Sequence, residues 1–395
     1  MKVLIVHNDF RVYWKGRLLF LKKYLDERNI DFYAIELFGK GSPYSFDNYE
    51  NKEQWWTCLF PEKSYDEISI STIRGTFLDK IKEINPDVVI AGSIVFFAGA
   101  LGLRWAKNNG KKFIMFDDAK PSQIKRNFLV QWIKDLITHQ IDGLWLPSNE
   151  YDEAYTKFID KDMLVCYGYN CIDNELFKFK ATRENNFNTI ICVARLVPIK
   201  NIDFLLRAWK LIEKRRPNYK LVIIGDGPEF GVLNELATNM GLKTIVFLGA
   251  VNNSDIPTYF YNSSAFILPS LSESWGLVVN EAMASGLPLL LSNKINASNT
   301  LLHEGENGFG FEPTNVKKIA EKIIRFIDLD EKEKKKMSEN STKFINQMNY
   351  DNMGNELVCM LSRSEKQKSR KPGPLASLLI NLWHGRYNTS GWDKL

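Results

Sequence analysis

The chain has 395 residues, 45% hydrophobic and 25% charged. This is ordinary globular usage, which excludes a disordered or collagen-like polymer and provides for about two to three compact units. Lys and Arg number 52 against 47 Asp and Glu, a net +5; that excess suits small anions and lipid headgroups but lacks the concentrated basic stripe of a nucleic-acid binder. Five cysteines, Cys58, Cys166, Cys171, Cys192 and Cys359, with no C-x-x-C pair, argue against a disulfide or zinc framework and for a reducing compartment.

Met1-Lys2 leads straight into Val3–Val6, too short an apolar run for a signal peptide or a membrane span, so a cytosolic protein is expected. Short apolar runs then alternate with helix-period stretches, the pattern of parallel sheets covered by helices, and the class is α/β. Strands are predicted at Lys2–His7, Asp31–Leu37, Val88–Ala91, Lys112–Met115, Gly143–Leu146 and Leu164–Tyr167, giving one doubly wound domain over residues 1–176. The polar stretch Asn170–Asn188 reads as a hinge, with the boundary near Phe177. A second unit of the same class, residues 177–345, has predicted strands at Thr189–Ala194, Lys220–Gly225, Ile245–Leu248, Ala265–Leu268 and Pro288–Ser292. Its helix after Lys200 has Asn201 as the expected cap, Asp203 in the first turn, and Ile202, Leu205, Leu206 and Trp209 on one face. Helices follow at Val316–Leu329 and Lys332–Phe344, and residues 346–362 are expected to form a helix returning toward the first domain. Residues 363–395 form a distinct tail: Arg363–Lys371 carries five positive charges and one Glu, Pro372-Gly373-Pro374 interrupts any helix, and Leu375–Trp383 is largely apolar.

In open α/β sheets ligands sit outside the carboxyl ends of the strands, so the loops after the strands of the second domain carry the candidate chemistry. Arg195 and Lys200 follow the first of them, a fork and a point charge that could bracket a diphosphate or simply be surface charge. Gly225-Asp226-Gly227-Pro228 is a turn whose glycines let backbone approach a ligand. Ser272 to Glu281 is the most informative loop: Gly276 permits a tight backbone, the amides of Gly276 to Val278 open a helix, and Glu273 and Glu281 flank them. Two acids beside a phosphate-binding helix end suggest a ligand that is both sugar and phosphate. A two-carboxylate hydrolase offers another reading of that pair. The triplets Asp160-Lys161-Asp162 and Asp328-Leu329-Asp330 read as surface acids, and the dispersed His7, His139, His303 and His384 as structural.

Four elements in order, Ala194-Arg195-Leu196-Val197-Pro198-x-Lys200-Asn201, Gly225-Asp226-Gly227-Pro228, Glu273-x7-Glu281 and Glu304-Gly305-x-Asn307-Gly308, give a sequence that resembles the retaining glycosyltransferases of family 4. The resemblance covers roughly residues 1–361 and is strongest over 190–313. It implies the GT-B fold, two facing Rossmann-like domains with a cleft between them. It also implies a nucleotide-sugar donor, UDP- or GDP-linked, and a glycan or lipid-linked acceptor, in bacterial surface polysaccharide assembly. Arg195 and Lys200 would hold the donor diphosphate, with Gly225, Asp226 and Gly227 beside them. Glu281 would accept the ribose hydroxyls, Glu273 with the backbone of Trp275, Gly276 and Leu277 would hold the transferred sugar, and Val251 would lie against the base. Retention in this family is described as same-face attack assisted by the leaving phosphate. Fixed cations and helix-end amides then stabilise the departing diphosphate, and neither metal nor cofactor is expected.

The first domain departs from the family pattern. Where relatives carry a Gly-Gly loop this chain has Trp14-Lys15-Gly16, making Lys15 and Gly16 the acceptor-side candidates. Where relatives carry a His it has Phe116-Asp117-Asp118, so Asp117 or Asp118 is the expected contact to the sugar or acceptor, or a cap for the next segment. Ile124–Ile137 has the pattern of a basic amphipathic helix on a lipid surface or of a core-packed helix. The tail 363–395 is a candidate for an anionic membrane surface or for docking on the body of the protein. Two other functions remain open, a nucleotide-sugar epimerase of related architecture and a non-catalytic nucleotide-sugar-binding subunit.

Overall fold

The structure is a computed structural model of the chain, and it describes residues 1–10, 13–40, 53–121, 127–178 and 188–385. Lys125 and Arg126 of the amphipathic stretch lie outside them. The chain forms two units, one of Met1–Tyr169 with the helices from Tyr350 onward, the other of Asn170–Asn349.

The first unit is a seven-stranded sheet of β1 (Lys2–His7), β2 (Asp31–Phe38), β3 (Trp56–Phe60), β4 (Val88–Ala91), β5 (Lys112–Phe116), β6 (Gly143–Leu146) and β7 (Leu164–Tyr167). Its spatial order is β3-β2-β1-β4-β5-β6-β7, and every pairing is parallel. A sheet covered on both faces must be apolar on both, which is why Val3 to Val6 are all fully buried in sequence. The second unit repeats the plan with six parallel strands: β8 (Thr189–Val193), β9 (Lys220–Ile224), β10 (Ile245–Gly249), β11 (Ala265–Leu268), β12 (Leu289–Ser292) and β13 (Gly308–Phe311), in the order β10-β9-β8-β11-β12-β13. Helix Ile202–Glu213 buries the expected face, Ile202, Leu205, Leu206 and Trp209, in its core. These are the two Rossmann-like sheets of the GT-B fold class.

Two strands lie outside the sequence expectation. β3 is an edge strand with a half-buried pattern, too short and mixed to show a period. β13 reads Gly-Phe-Gly-Phe, and glycine normally argues against a strand. Here it is required: a Cβ on Gly308 would stand 2.0 Å from the Leu289 carbonyl oxygen on the neighbouring strand.

The C-terminal segment, as far as residue 385, folds onto the first unit. Helix Tyr350–Glu365 packs on Tyr13–Asp26 and β7, and helix Pro374–Leu382 packs on Phe97–Asn108 and Phe128–Thr138. Between them Lys107 donates to the Asp142 carboxylate at 2.7 Å and to the Arg370 carbonyl at 3.2 Å. Asp142 also accepts the backbone amides of Phe113 and Arg370, each at 2.7 Å. Lys107 and Asp142 are both buried; burial lowers the ammonium's proton affinity while Asp142 opposes the shift. Arg104 completes the attachment, donating to the Ile380 and Trp383 carbonyls at the end of the last helix, a cation placed at a negative helix terminus. No described helix is long and apolar enough to cross a membrane.

Lys107→Ala leaves a buried carboxylate without its counter-charge and is expected to destabilise the protein by about 3 kcal/mol. Urea unfolding checks this, with the exposed Lys335→Ala expected within about 0.5 kcal/mol of wild type.

Candidate functional site

The strand order places four loops side by side at one edge of the second sheet: those after β10, β9, β8 and β11, carrying Val251, Gly225 to Gly227, Arg195 to Lys200, and Glu273 to Gly276. That edge is the carboxyl end of a doubly wound sheet.

The glycines of the β9 loop admit the backbone of the β8 loop. Gly225 and Gly227 have φ of +137° and +156°, and a Cβ on each would stand 1.8 Å from the Ala194 oxygen and 2.4 Å from the Leu196 oxygen. The close approach lets Leu196 donate to the Asp226 carbonyl at 2.9 Å and accept from the Glu229 amide at 3.1 Å. Arg195, half-buried, is thereby fixed between two pinned residues, with Asp226 exposed beside it.

Asn201 behaves differently from the sequence expectation. It precedes helix Ile202–Glu213 in a left-handed conformation with φ 58°, but its side chain makes no capping bond. Instead the buried amide donates to the carbonyls of Pro269 and Pro313 at 3.2 and 2.9 Å, joining the ends of β11 and β13 to the Lys200 turn. Asp203 occupies the first helical turn as expected. The Leu271 amide donates to Ile199 at 2.8 Å, so Lys200 is delivered directly onto the β11 loop.

There Lys200 forms an ion pair with Glu273, whose same oxygen accepts from the Ser270 hydroxyl at 2.7 Å. Glu273 is buried, and its backbone pairs with Ile295 in an isolated parallel bridge. Asn296 extends this zipper by donating to the Ser274 carbonyl at 3.0 Å. Gly276, with φ +98°, then turns the chain into helix Leu277–Ala284, presenting the first amides of that helix beside Glu273. Inside the same helix Asn280 is fully buried: it accepts from the Trp275 indole at 2.9 Å and donates to the Asn170 carbonyl at 2.9 Å. Glu281 follows it, also buried. Glu273, Lys200, Trp275, Gly276 and Leu277 are thus brought together. Sequence reading missed Ser270 and Asn280; a polar residue in the apolar run Leu277–Ala284 was the one available signal.

Glu304, Asn307 and Gly308 lie at the other edge, leading into β13. Asn307 closes a turn by accepting the His303 amide at 2.8 Å and donating to Leu301 at 2.9 Å, and Glu304 binds the Gly310 amide at 2.7 Å. They shape the fold rather than the loop cluster.

The first-domain candidates belong to the other unit. Asp117 and Asp118 follow β5 at its carboxyl end, but Asp117 accepts the Ala119 amide at 3.1 Å, as a cap would. Tyr151 and Tyr155 donate to the carbonyls of Asp118 and Ala119 at 2.9 and 3.1 Å. Burial, with the Asp117 charge adding to it, pushes the Tyr155 phenol far above its ordinary value. Lys15 and Gly16 are within helix Tyr13–Asp26, not in a loop, and a Cβ on Gly16 would meet the Tyr350 hydroxyl oxygen at 2.4 Å. Gly16 therefore admits the returning C-terminal helix. His7, read as structural, stacks on Phe10 and Phe116 at 5.6 Å, and burial lowers its basicity. Asp160 pairs with Arg370 and Asp328 with Arg216, while Asp330 caps helix Glu331–Ile345.

Residues 173–344 match the family model described as glycosyl transferases group 1. Over 142 residues the chain is 36% identical to an uncharacterized glycosyltransferase of Haemophilus influenzae, covering 36% of this chain and 38% of that protein. Over 231 residues it is 34% identical to the UDP-Gal:alpha-D-GlcNAc-diphosphoundecaprenol alpha-1,3-galactosyltransferase of Escherichia coli, covering 54% and 58%. The matched stretches therefore span well under two thirds of either relative. The fold is similar to that of sucrose-phosphate synthase from Thermosynechococcus elongatus, with a TM-score of 0.74 at 14% identity over 93% of this chain and 100% of that one.

Gly225→Ala forces a side chain into the Ala194 carbonyl at a positive φ and is expected to cost about 3 kcal/mol. Gly231→Ala, in a helix with nothing within 4 Å, is expected to stabilise by about 0.5 kcal/mol. Paired denaturant curves distinguish the two.

Proposed function

We propose, from the premise that residues 173–344 are a domain of the glycosyl transferases group 1 family, that this chain moves a sugar from a nucleoside-diphosphate donor to a hydroxyl of a glycan or lipid-linked acceptor. One observation carries the reading: Lys200, Glu273 and Ser270 converge beside the left-handed Gly276 that opens a helix, on the carboxyl edge of neighbouring strands. Cation, buried acid and helix-end amides are the chemistry of a sugar diphosphate.

In this reading Arg195 and Lys200 bind the diphosphate, and the opening amides of helix Leu277–Ala284 take the phosphate oxygens. Glu281 accepts the ribose hydroxyls and Glu273 a hydroxyl of the transferred sugar, while Val251 lies against the base. Lys200 and Glu273 neutralise each other in the structure described here; an arriving diphosphate competes for the ammonium and turns the carboxylate toward the sugar. The bond between the anomeric carbon and the β-phosphate oxygen breaks, and the acceptor oxygen bonds to that carbon on the same face. The acceptor proton passes to the leaving phosphate oxygen, so configuration is retained. The cations act most strongly here because the diphosphate gains charge as it leaves. The scheme assigns no role to a metal. The similarity to a UDP-Gal-dependent, diphosphoundecaprenol-directed transferase supports a lipid-linked acceptor and a UDP donor; surface polysaccharide assembly is the process in which the reading places it.

A thermal-shift panel of UDP, GDP and ADP with their sugars tests the donor. The matching nucleotide, at about a hundredfold excess over Kd, is expected to raise Tm by about 5 °C, and Glu281→Ala to abolish the rise. Glu273→Gln is expected to keep the rise and to lower transfer about a hundredfold. Stabilisation by no nucleotide, or undiminished transfer in Glu273→Gln, overturns the assignment.

A further inference from the structure

Several of the large apolar side chains that this protein leaves in the open are gathered in one place. Helix Phe128–Thr138 exposes Phe128, at 84%, with Leu129 and Trp132. Helix Pro374–Leu382 packs beside it and exposes Leu375, Leu378 and Leu382, each more than half open. Those three leucines fall within about 60° of one another around the helix, while Ile380, on the other side, is buried. Core packing turns such a stripe inward; here it is turned outward.

The helix is held in that orientation. Arg104 grips its last carbonyls, Trp383 donates to the Ile94 carbonyl at 2.7 Å, and Asn108 donates to Asn381 at 3.0 Å. Upstream, the strap at Ser369 and Arg370 is pinned to Lys111 and Asp142. Rotating the leucines inward would break all of these contacts.

The charge nearby selects what covers the stripe. Helix Pro374–Leu382 contains no charged residue, and the run before it exposes Arg363, Lys366, Lys368 and Lys371 against the single acid Glu365. The fifth cation of that run, Arg370, is already occupied by Asp160. Leucines and a tryptophan with a run of cations immediately upstream of the leucines' helix in the chain complement acyl chains and anionic headgroups together. A second copy seated symmetrically on this face would bring like charges together. Nine residues are too few to span a bilayer, so contact is at the surface.

We propose that these two helices form a single face that docks the first domain on an anionic lipid surface, the leucines and Trp132 entering the headgroup layer and the Arg363–Lys371 run holding its charge. The face is built entirely from the first unit and is independent of the donor reading.

The test is co-sedimentation of the full chain with phosphatidylcholine vesicles and with vesicles containing phosphatidylglycerol. Wild type is expected to pellet with the anionic vesicles and to remain in solution with the zwitterionic ones. The double variant Leu378→Asp with Leu382→Asp, and separately Trp132→Asp, are expected to need about tenfold more anionic lipid, with thermal unfolding unchanged to show that they fold. No pelleting of wild type overturns the proposal, as does pelleting that these substitutions leave untouched, which would assign binding to the basic run alone. A concentration-dependent dimer broken by the leucine variants, without vesicle binding, would assign the face to a second copy. Nucleotide stabilisation of the same variants reports separately on the donor site, so failure of either proposal is distinguishable from failure of the other.

Discussion

A single buried amide, that of Asn201, holds the second domain's loop cluster in register. Its two donor bonds reach the ends of two different strands, at Pro269 and Pro313, and a buried amide left without them would cost on the order of 1–3 kcal/mol. Because Asn201 is left-handed, the preceding turn is directed so that Lys200 meets Glu273 instead of solvent. The rest of the cluster follows from that placement. Glu273 is buried against Lys200 and Ser270, its backbone pairs with Ile295, and Gly276 starts the helix where the zipper ends.

A burial of this kind is stable only when each partner is present. Lys200 and Glu273 are each half-buried or more, and removing either leaves the other as a desolvated charge. In the proposed reading this arrangement is suited to exchange: an arriving diphosphate would offer Lys200 a replacement partner and free the Glu273 carboxylate for the sugar. The glycines at 225 and 227 contribute at one remove. They allow two loop backbones to touch, which fixes Arg195. Rigid scaffolding with a few exchangeable polar contacts is what preorganisation requires.

The first domain solves a different problem, the attachment of a chain end that composition alone marks as foreign. Asp142 collects the Lys107 ammonium and two backbone amides, one of them from Arg370. The polybasic run is therefore partly structural at Arg370 and partly surface charge at its other members. The same attachment fixes which side of the last helix is wet, so an internal ion pair determines the character of an outer face. Gly16 and Gly354 show the same dependence at closer range, since a Cβ on either would collide with Tyr350 or Tyr24 of the facing helix.

The sequence by itself determined the α/β class, eleven of the thirteen strands, and the identity of the loops that carry Arg195, Lys200, Glu273 and Gly276, with Glu281 in the helix that follows. Those features are local: apolar runs, turn glycines and charged residues at fixed spacing are legible wherever they stand. It could not find β13, because the reason for Gly308 is the Leu289 carbonyl on another strand. It misjudged Asn201, because an Asn before a helix is ordinarily a cap and its true partners are 68 and 112 residues away. It placed Lys15 and Gly16 in a loop, because the partner that requires Gly16, Tyr350, is more than three hundred residues further along the chain. It could not show how residues 363–383 attach to the body of the protein, since the contacts that hold them are Lys107 with Asp142 and Arg104 with the last carbonyls. Only tertiary structure settled these, because a backbone collision, a buried amide's partner and the direction of an amphipathic stripe depend on what the fold brings near, and residue spacing carries no record of it.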